Sequence, residues 1–490
     1  MTTSTARSSE QETLPMFVLP SKLDSALKAA SINYTLVSTS PKPEYCNCEQ
    51  IAPPALDTVV VLIILQDSLG QEQFLMPQNH LIDVRQLCEQ NGRNLQALAP
   101  AAWASARKNQ GLPLNSNYLA AVPQTQALTT QAAEVLRSKS VLYLASGFTR
   151  IYLKIEGKKV ERFFENTRFI SQFSVPVDKL WQSIRQCGDT KSQLTSAVEN
   201  FTTLRIKQRL DKTLEIPPLP ETAQKIINLR VNSDASINDL SKIVEIDPSL
   251  AAQVVSWASS PYYNAPGGIS SVHDAVVRVL GFDLVINLAL GLSMGKTLKL
   301  PTDGPRGAIN YWKQAVFTAA LVEALVSRMD RNERPSIGLA YLTGLLNNFG
   351  ALILSYVFPP HYSLIGRFIE ANPHQVHSVI EQHVLGISRE QIAAWVMRLW
   401  DMPEEVVIAL QWQQIPEYKG KHDSYAKLLF VANQLLRRMH HQGSPIGNPV
   451  QPLTPSLLAT LGLTVPAADE ALAYVMARRK ELAKMADSFG

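Results

Sequence analysis

Little in this chain points to disulfides, to a polyanionic partner or to a bilayer. Only four of its 490 residues are cysteine, which argues against the disulfide framework that staples small secreted domains. Cys46 and Cys48 form a C-x-C, but no second cysteine or histidine pair follows at zinc spacing. The formal net charge is +4. Its densest basic run, Arg205–Lys212, reads as one solvated face of a linker helix, so composition gives no licence for nucleic-acid binding. The amino-terminal MTTSTARSSEQETLP lacks a basic segment followed by an apolar core, and is expected to be a frayed tail rather than a signal peptide. Val59–Leu65, the longest strongly apolar run outside the helix described next, is far short of the ~20 residues that cross a bilayer. A cytoplasmic location follows as the expectation.

Apolar residues are plentiful. Hydrophobic content of 46% against 18% charged describes a globular chain with ample core, and this length suggests two or three domains. The most apolar stretch is Gly338–Phe358, where Leu342, Leu345, Leu346, Phe349, Leu352, Ile353 and Tyr356 recur at helical steps. One helix buried on nearly all sides is predicted, with Asn347 and Asn348 in its middle. Burying an unpartnered amide costs roughly 2–7 kcal/mol, so each should face a partner or a cavity.

Residues 20–165 read as a mixed α/β unit. Ser21–Ala30 is amphipathic, and Val59–Leu65 reads as a central strand buried on both faces. Asp67–Gly70 has turn chemistry before a partner strand at Gln73–Met76, and Leu81–Gln90 is helical up to Asn91-Gly92. Further strands are expected at Tyr118–Val122, Val141–Ala145, Ile151–Ile155 and Val160–Phe164. Helices at Asp178–Cys187 and Lys191–Leu214 make residues 166–215 a helical linker, closed by the IPPLP stretch around Pro217-Pro218. From Glu221 the period is 3.6 throughout. Ser236 is an N-cap, Asp247-Pro248 opens Ser249–Ala258, and Ser271-x-x-Asp274 fits a capping box for Val272–Leu280 before Gly281. Leu284–Thr297 continues as an apolar helix. Residues 443–490 read as two short helices that pack back on this domain.

Two resemblances follow from these residues. The strand, Asp-x-x-Gly turn, strand ending in Met-Pro and helix opened by Asp83 resemble the prolyl-tRNA deacylase/YbaK-like fold over residues 20–165. That family carries a lysine at the head of the strand occupied here by Val59–Val61 and a Gly-rich loop after the second helix. This chain has no lysine from Pro43 to Arg107 and reads Gln110-Gly111-Leu112-Pro113 at the loop, so hydrolytic editing lacks its cation and its oxyanion donors. "IPPLPETAQKI", "IVEIDPSLAAQVVSWASSPYY", "GGISSVHDAVVRVLGFDLVINLAL" and "MPEEVVIALQWQ" resemble the HDOD domain, a relative of the HD phosphohydrolases, here spanning 216–442. That resemblance implies an all-helical, catalytically inert signalling or output module. The expected class is therefore multidomain α+β.

HD hydrolases hold a metal through histidines and aspartates, lowering the pKa of bound water. At the positions the resemblance implies, this chain carries Gln314, Asn347, Asn348, Arg389, Gln413 and Gln414. Neutral amides are poor ligands for a transition metal, and Arg389 would repel a cation. No metal and no cofactor are expected. The six would form a polar, net positive pocket that either seals itself by mutual hydrogen bonds or takes a small anion or nucleotide. The dipeptide His273-Asp274 is a literal HD pair, but its place beside Ser271 makes Asp274 a helix cap. His374, His377 and His383 read as a solvated helix, and His440-His441 as the basic end of another. The reading is a non-catalytic regulatory protein acting through a ligand or a protein partner. Its rivals are residual aminoacyl-tRNA deacylation, with tRNA as partner, and metal-dependent phosphohydrolysis.

Overall fold

A computed structural model describes residues 19–29, 31–39, 48–112, 119–122, 129–148, 150–185, 219–232, 234–263, 267–295, 305, 310–440, 451 and 453–487. The chain divides into two compact units, Met1–Pro176 and Val177–Gly490. The frayed tail, the Lys191–Leu214 helix and Pro217-Pro218 lie outside the described residues. Cys88 is free and Cys48 is disulfide-bonded.

In the first unit the strands are β1 (Thr35–Ser38), β2 (Glu49–Gln50), β3 (Val59–Asp67), β4 (Gly70–Pro77), β5 (His80–Ile82), β6 (Gln96–Ala97), β7 (Thr129–Ala133), β8 (Val141–Ala145), β9 (Ile151–Glu156), β10 (Thr167–Ile170) and β11 (Ser174–Pro176). The main sheet runs β10-β7-β4-β3-β8-β9-β1-β2, with β6 also on β3, while β11 pairs with β5. As the β-branched run predicts, β3 is central and buried from Val59 to Leu65. It is antiparallel to β4 and parallel to β8. At the connecting turn Leu69 N donates to Asp67 Oδ1 at 2.8 Å, and Arg93 Nε donates to Asp67 Oδ2 at 2.8 Å. Helices α1 (Ser21–Ala29), α2 (Val84–Asn91), α3 (Pro100–Asn109) and α4 (Lys158–Phe163) complete the unit. Asp83 caps α2 and left-handed Gly92 ends it.

Two strand expectations fail. Val160–Phe164 falls largely in α4, entered through Gly157 at φ 59°. Among the described residues, Leu119–Val122 makes only a single bridge, Leu62 with Leu119. The Gln110 side chain takes the place of a neighbouring strand there: its Oε1 accepts from Ala120 N at 2.8 Å and its Nε2 donates to Ala120 O at 3.1 Å.

The second unit is all-helical among the described residues. Its first helices are α5 (Asp178–Arg185), α6 (Glu221–Val231), α7 (Ile237–Glu245), α8 (Pro248–Ala258), α9 (Val272–Asp274), α10 (Phe282–Gly295) and α11 (Tyr311–Val326). Then come α12 (Ile337–Leu345), α13 (Phe349–Val357), α14 (Pro359–Ala371), α15 (His377–Leu385), α16 (Arg389–Leu399), α17 (Glu404–Trp412) and α18 (Asp423–His440). The chain finishes with α19 (Pro455–Ala459), α20 (Val465–Ala477) and α21 (Arg479–Asp487). The caps are as expected at Ser236, Asp247 and Ser271. Beyond α9 the backbone widens into a π-helix over Ala275–Leu280, which ends at Gly281. The predicted Gly338–Phe358 helix is in fact two, α12 and α13, with Asn347 and Asn348 in the break. The span Ile337–Val357 is long and apolar enough to cross a membrane, yet most of it is buried inside the fold. The carboxy-terminal segment holds three helices rather than two, and α20 and α21 pack against α11.

Candidate functional site

The break between α12 and α13 positions the site. Gly344 lets α12 cross α11 closely: a Cβ there would stand 2.5 Å from Ala319 Cα. The turn after α12 leaves Asn348 at the head of α13, half-buried, and Asn347 buried beneath it. A second turn, Gly386-Ile387-Ser388, folds α16 back on α15. Gly386 takes the left-handed conformation at φ 77°, and Ser388 caps α16 with Gln391 in a reciprocal capping box. Arg389 is thereby placed at the first position of α16, above the side chain of Glu381.

Five of the six expected residues enter two hydrogen-bonded chains. In the first, Asn348 Nδ2 donates to Gln314 Oε1 at 3.3 Å, and Arg389 Nη1 donates to Asn348 Oδ1 at 2.9 Å. Arg389 Nε then donates to Glu381 Oε1 at 2.6 Å and its backbone N to Glu381 Oε2 at 2.9 Å, with Nη2 in a further close ion pair. In the second, Asn347 Nδ2 donates to Gly344 O at 2.6 Å and Gln413 Nε2 to Asn347 O at 2.8 Å. Asn433 Nδ2 closes this chain on Gln413 Oε1 at 3.2 Å. Gln414 stands apart. Its buried Oε1 has no partner among protein atoms, and neither has Glu390 Oε2 nor Arg437 Nη1.

The net positive pocket is therefore corrected. Glu381 is 1% exposed and neutralises Arg389. Burial pushes the Glu381 carboxyl above the ordinary carboxylate range, partly offset by Arg389. Burial likewise works against the Arg389 charge, but Glu381 holds that guanidinium above its ordinary value. Arg437 is less well compensated: burial brings it down to about 10, with Glu390 opposing the fall and Arg389 adding to it. Burial, aided by Arg389 and Arg437, drives the His377 imidazole well below its usual pKa, so it is neutral. His374 is buried and His377 half-buried, so the solvated-helix reading does not hold for these two histidines. His273 is exposed, and Asp274 is occupied by Ser270 N at 3.3 Å and Ser270 Oγ at 3.0 Å. Among the described residues no group of three or more His, Cys, Asp or Glu is arranged to hold a metal ion.

Sequence reasoning missed Glu381, Asn433, Glu390 and Arg437. Glu381 had a readable signal, a lone carboxylate amid Val379, Ile380, Val384 and Leu385, eight residues before the arginine it meets.

The HDOD domain family model matches residues 216–416. A candidate signal transduction protein from Marinobacter aquaeolei VT8 has a solved structure 38% identical to this chain, covering 96% of this chain and 100% of its own, with a TM-score of 0.81. A candidate phosphohydrolase from Shewanella amazonensis SB2B is 19% identical, covering 59% of this chain and 99% of its own, with a TM-score of 0.43. A candidate trans-editing enzyme for prolyl tRNA synthetase is weakly similar, at 14% identity over 31% of this chain and 93% of its own, with a TM-score of 0.23. Among curated proteins there is no match. With its helical unit matched by the family and a relative this similar along nearly its whole length, the chain belongs to the HDOD domain proteins.

Proposed function

We propose that the chain is a non-catalytic signal-transduction protein whose HDOD domain acts through binding, of a small ligand or of a protein, and not through turnover. One observation carries this reading. Where a hydrolase needs imidazole and carboxylate around a cation, Arg389 fills the space with its own fixed charge, held by Glu381 and Asn348. A divalent ion placed there would face a guanidinium, and the amides of Gln314 and Asn348 are committed to each other. The signal-transduction name of the Marinobacter relative supports the same reading. The buried, unpartnered atoms of Gln414, Glu390 and Arg437 favour a small polar guest beside the sealed chains.

A screen of the purified full chain with bis(p-nitrophenyl) phosphate in Mn²⁺, Fe²⁺, Ni²⁺ and Zn²⁺ tests it. No release above buffer is expected. Metal-dependent turnover that disappears in Asn348→Ala would reinstate the phosphohydrolase alternative.

A further inference from the structure

A cavity opens in the α/β unit at the end of α3. It measures about 430 Å³ and is lined by Ala104, Ser105, Arg107 and Lys108 of α3 and by Gly111 and Leu112 just beyond it. Cavities of that size hold small molecules. The residue spacing explains the opening. Side chains on a helix lean towards its amino terminus, so Arg107 and Lys108 reach back over the turn that carries Ala104 and Ser105. Those two side chains are too small to fill the space, and Ser105 Oγ turns back to Ala101 O at 3.0 Å. The wall beyond α3 is fixed. Gly111 is left-handed at φ 71°, and a Cβ there would stand 3.0 Å from Pro20 Cβ. Leu112 is wedged so closely on Gly147 that a Cβ on that glycine would meet Leu112 Cδ2 at 2.7 Å.

The lining carries two cations and, among the described residues, no acid. Arg107 is only 5% exposed, and its guanidinium lies over the Trp103 ring, 5.1 Å from the centroid. Lys108 beside it is exposed. Basic residues in a last turn often serve the unpaired carbonyls of a helix end. Here those carbonyls are already taken: Ala106 O accepts from Gln110 N at 3.1 Å, Arg107 O from Leu112 N at 3.1 Å and Lys108 O from Gly111 N at 3.0 Å. Ending the helix therefore requires neither side chain. We infer that the cavity binds a small phosphate monoester, its head between Arg107 and Lys108 and its organic part against Ala104 and Leu112. Two neighbouring cations without an acid match a doubly charged head better than a single carboxylate. The guanidinium supplies a planar fork for phosphate oxygens, and the ammonium a point charge on a flexible stem. The site belongs to the α/β unit and is independent of whatever the helical unit binds.

Isothermal titration of the full chain with phenyl phosphate at low salt tests this, at about pH 7.5, where a phosphate monoester is dianionic. The wild type should bind saturably with a Kd of about 1 mM or tighter. Binding should weaken at least about fivefold in Lys108→Gln and stay within about twofold of the wild type in Lys108→Arg. Lys108 is exposed, so neither substitution threatens the fold. Weaker or absent binding by the wild type, an unchanged affinity in Lys108→Gln, or an equal loss in Lys108→Arg overturns the site. Phthalate, a dicarboxylate on the same ring, should bind more weakly than phenyl phosphate, and equal or tighter binding overturns the phosphate assignment.

Discussion

At the scale of single residues, the helical unit buries one ion pair, Arg389 with Glu381, beside the break between α12 and α13. Arg389 gives Glu381 three donors, two from its guanidinium and one from its backbone. Removing one partner strands a buried charge, so Arg389→Ala should cost about 3–5 kcal/mol in denaturant unfolding. Replacing both, as Arg389→Met with Glu381→Leu, should recover most of that loss, because two apolar side chains carry no desolvation penalty. A double variant as unstable as Arg389→Ala would mean that Arg389 supports the fold by its shape and not by its charge. The sequence singled out Gln314, Asn347, Asn348 and Gln413, and all four hydrogen-bond within the two chains. The charge half was not. Periodicity places Glu381 on a helix, but only the fold-back at Gly386 shows that it meets Arg389.

At the scale of elements, the sequence pattern was reliable where period and caps agreed, as at Asp83, Ser236, Asp247 and β3. It failed where one side chain overrode a local preference. The Gly338–Phe358 pattern is unbroken by period, yet Asn347 bonds back to Gly344 O and ends the helix there. Val160–Phe164 is β-branched and aromatic, but left-handed Gly157 turns the chain into a helix instead of a returning strand. The close crossing of α11 and α12 gives a sharp expectation. Gly344→Leu would drive its side chain into Ala319 and the backbone of Thr318, destabilising the unit by about 1–3 kcal/mol. Thermal unfolding of the variant measures it, and an unchanged midpoint would mean that the two helices separate freely. A milder loss, about 1 kcal/mol, is expected for Ser236→Ala, whose hydroxyl accepts from Asp239 N.

At the scale of the whole molecule, the chain is two compact units of different class, α/β and all-helical, and the second is stitched shut by its own carboxy terminus. Helices α20 and α21 cover α11, so a chain ended at residue 452 should expose that apolar face and lose solubility or unfold at lower temperature. The division after Pro176 falls eleven residues beyond the 165 edge expected for the α/β unit, past β10 and β11, which are short and carry no alternating pattern. The most direct test of the account is the metal content of the full chain, purified without chelator from cells supplied with manganese, iron, nickel and zinc, read by inductively coupled plasma mass spectrometry. The account predicts well under one metal ion per chain, unaltered by Asn348→Ala. A stoichiometric ion that is lost in Asn348→Ala or Gln314→Ala would contradict it.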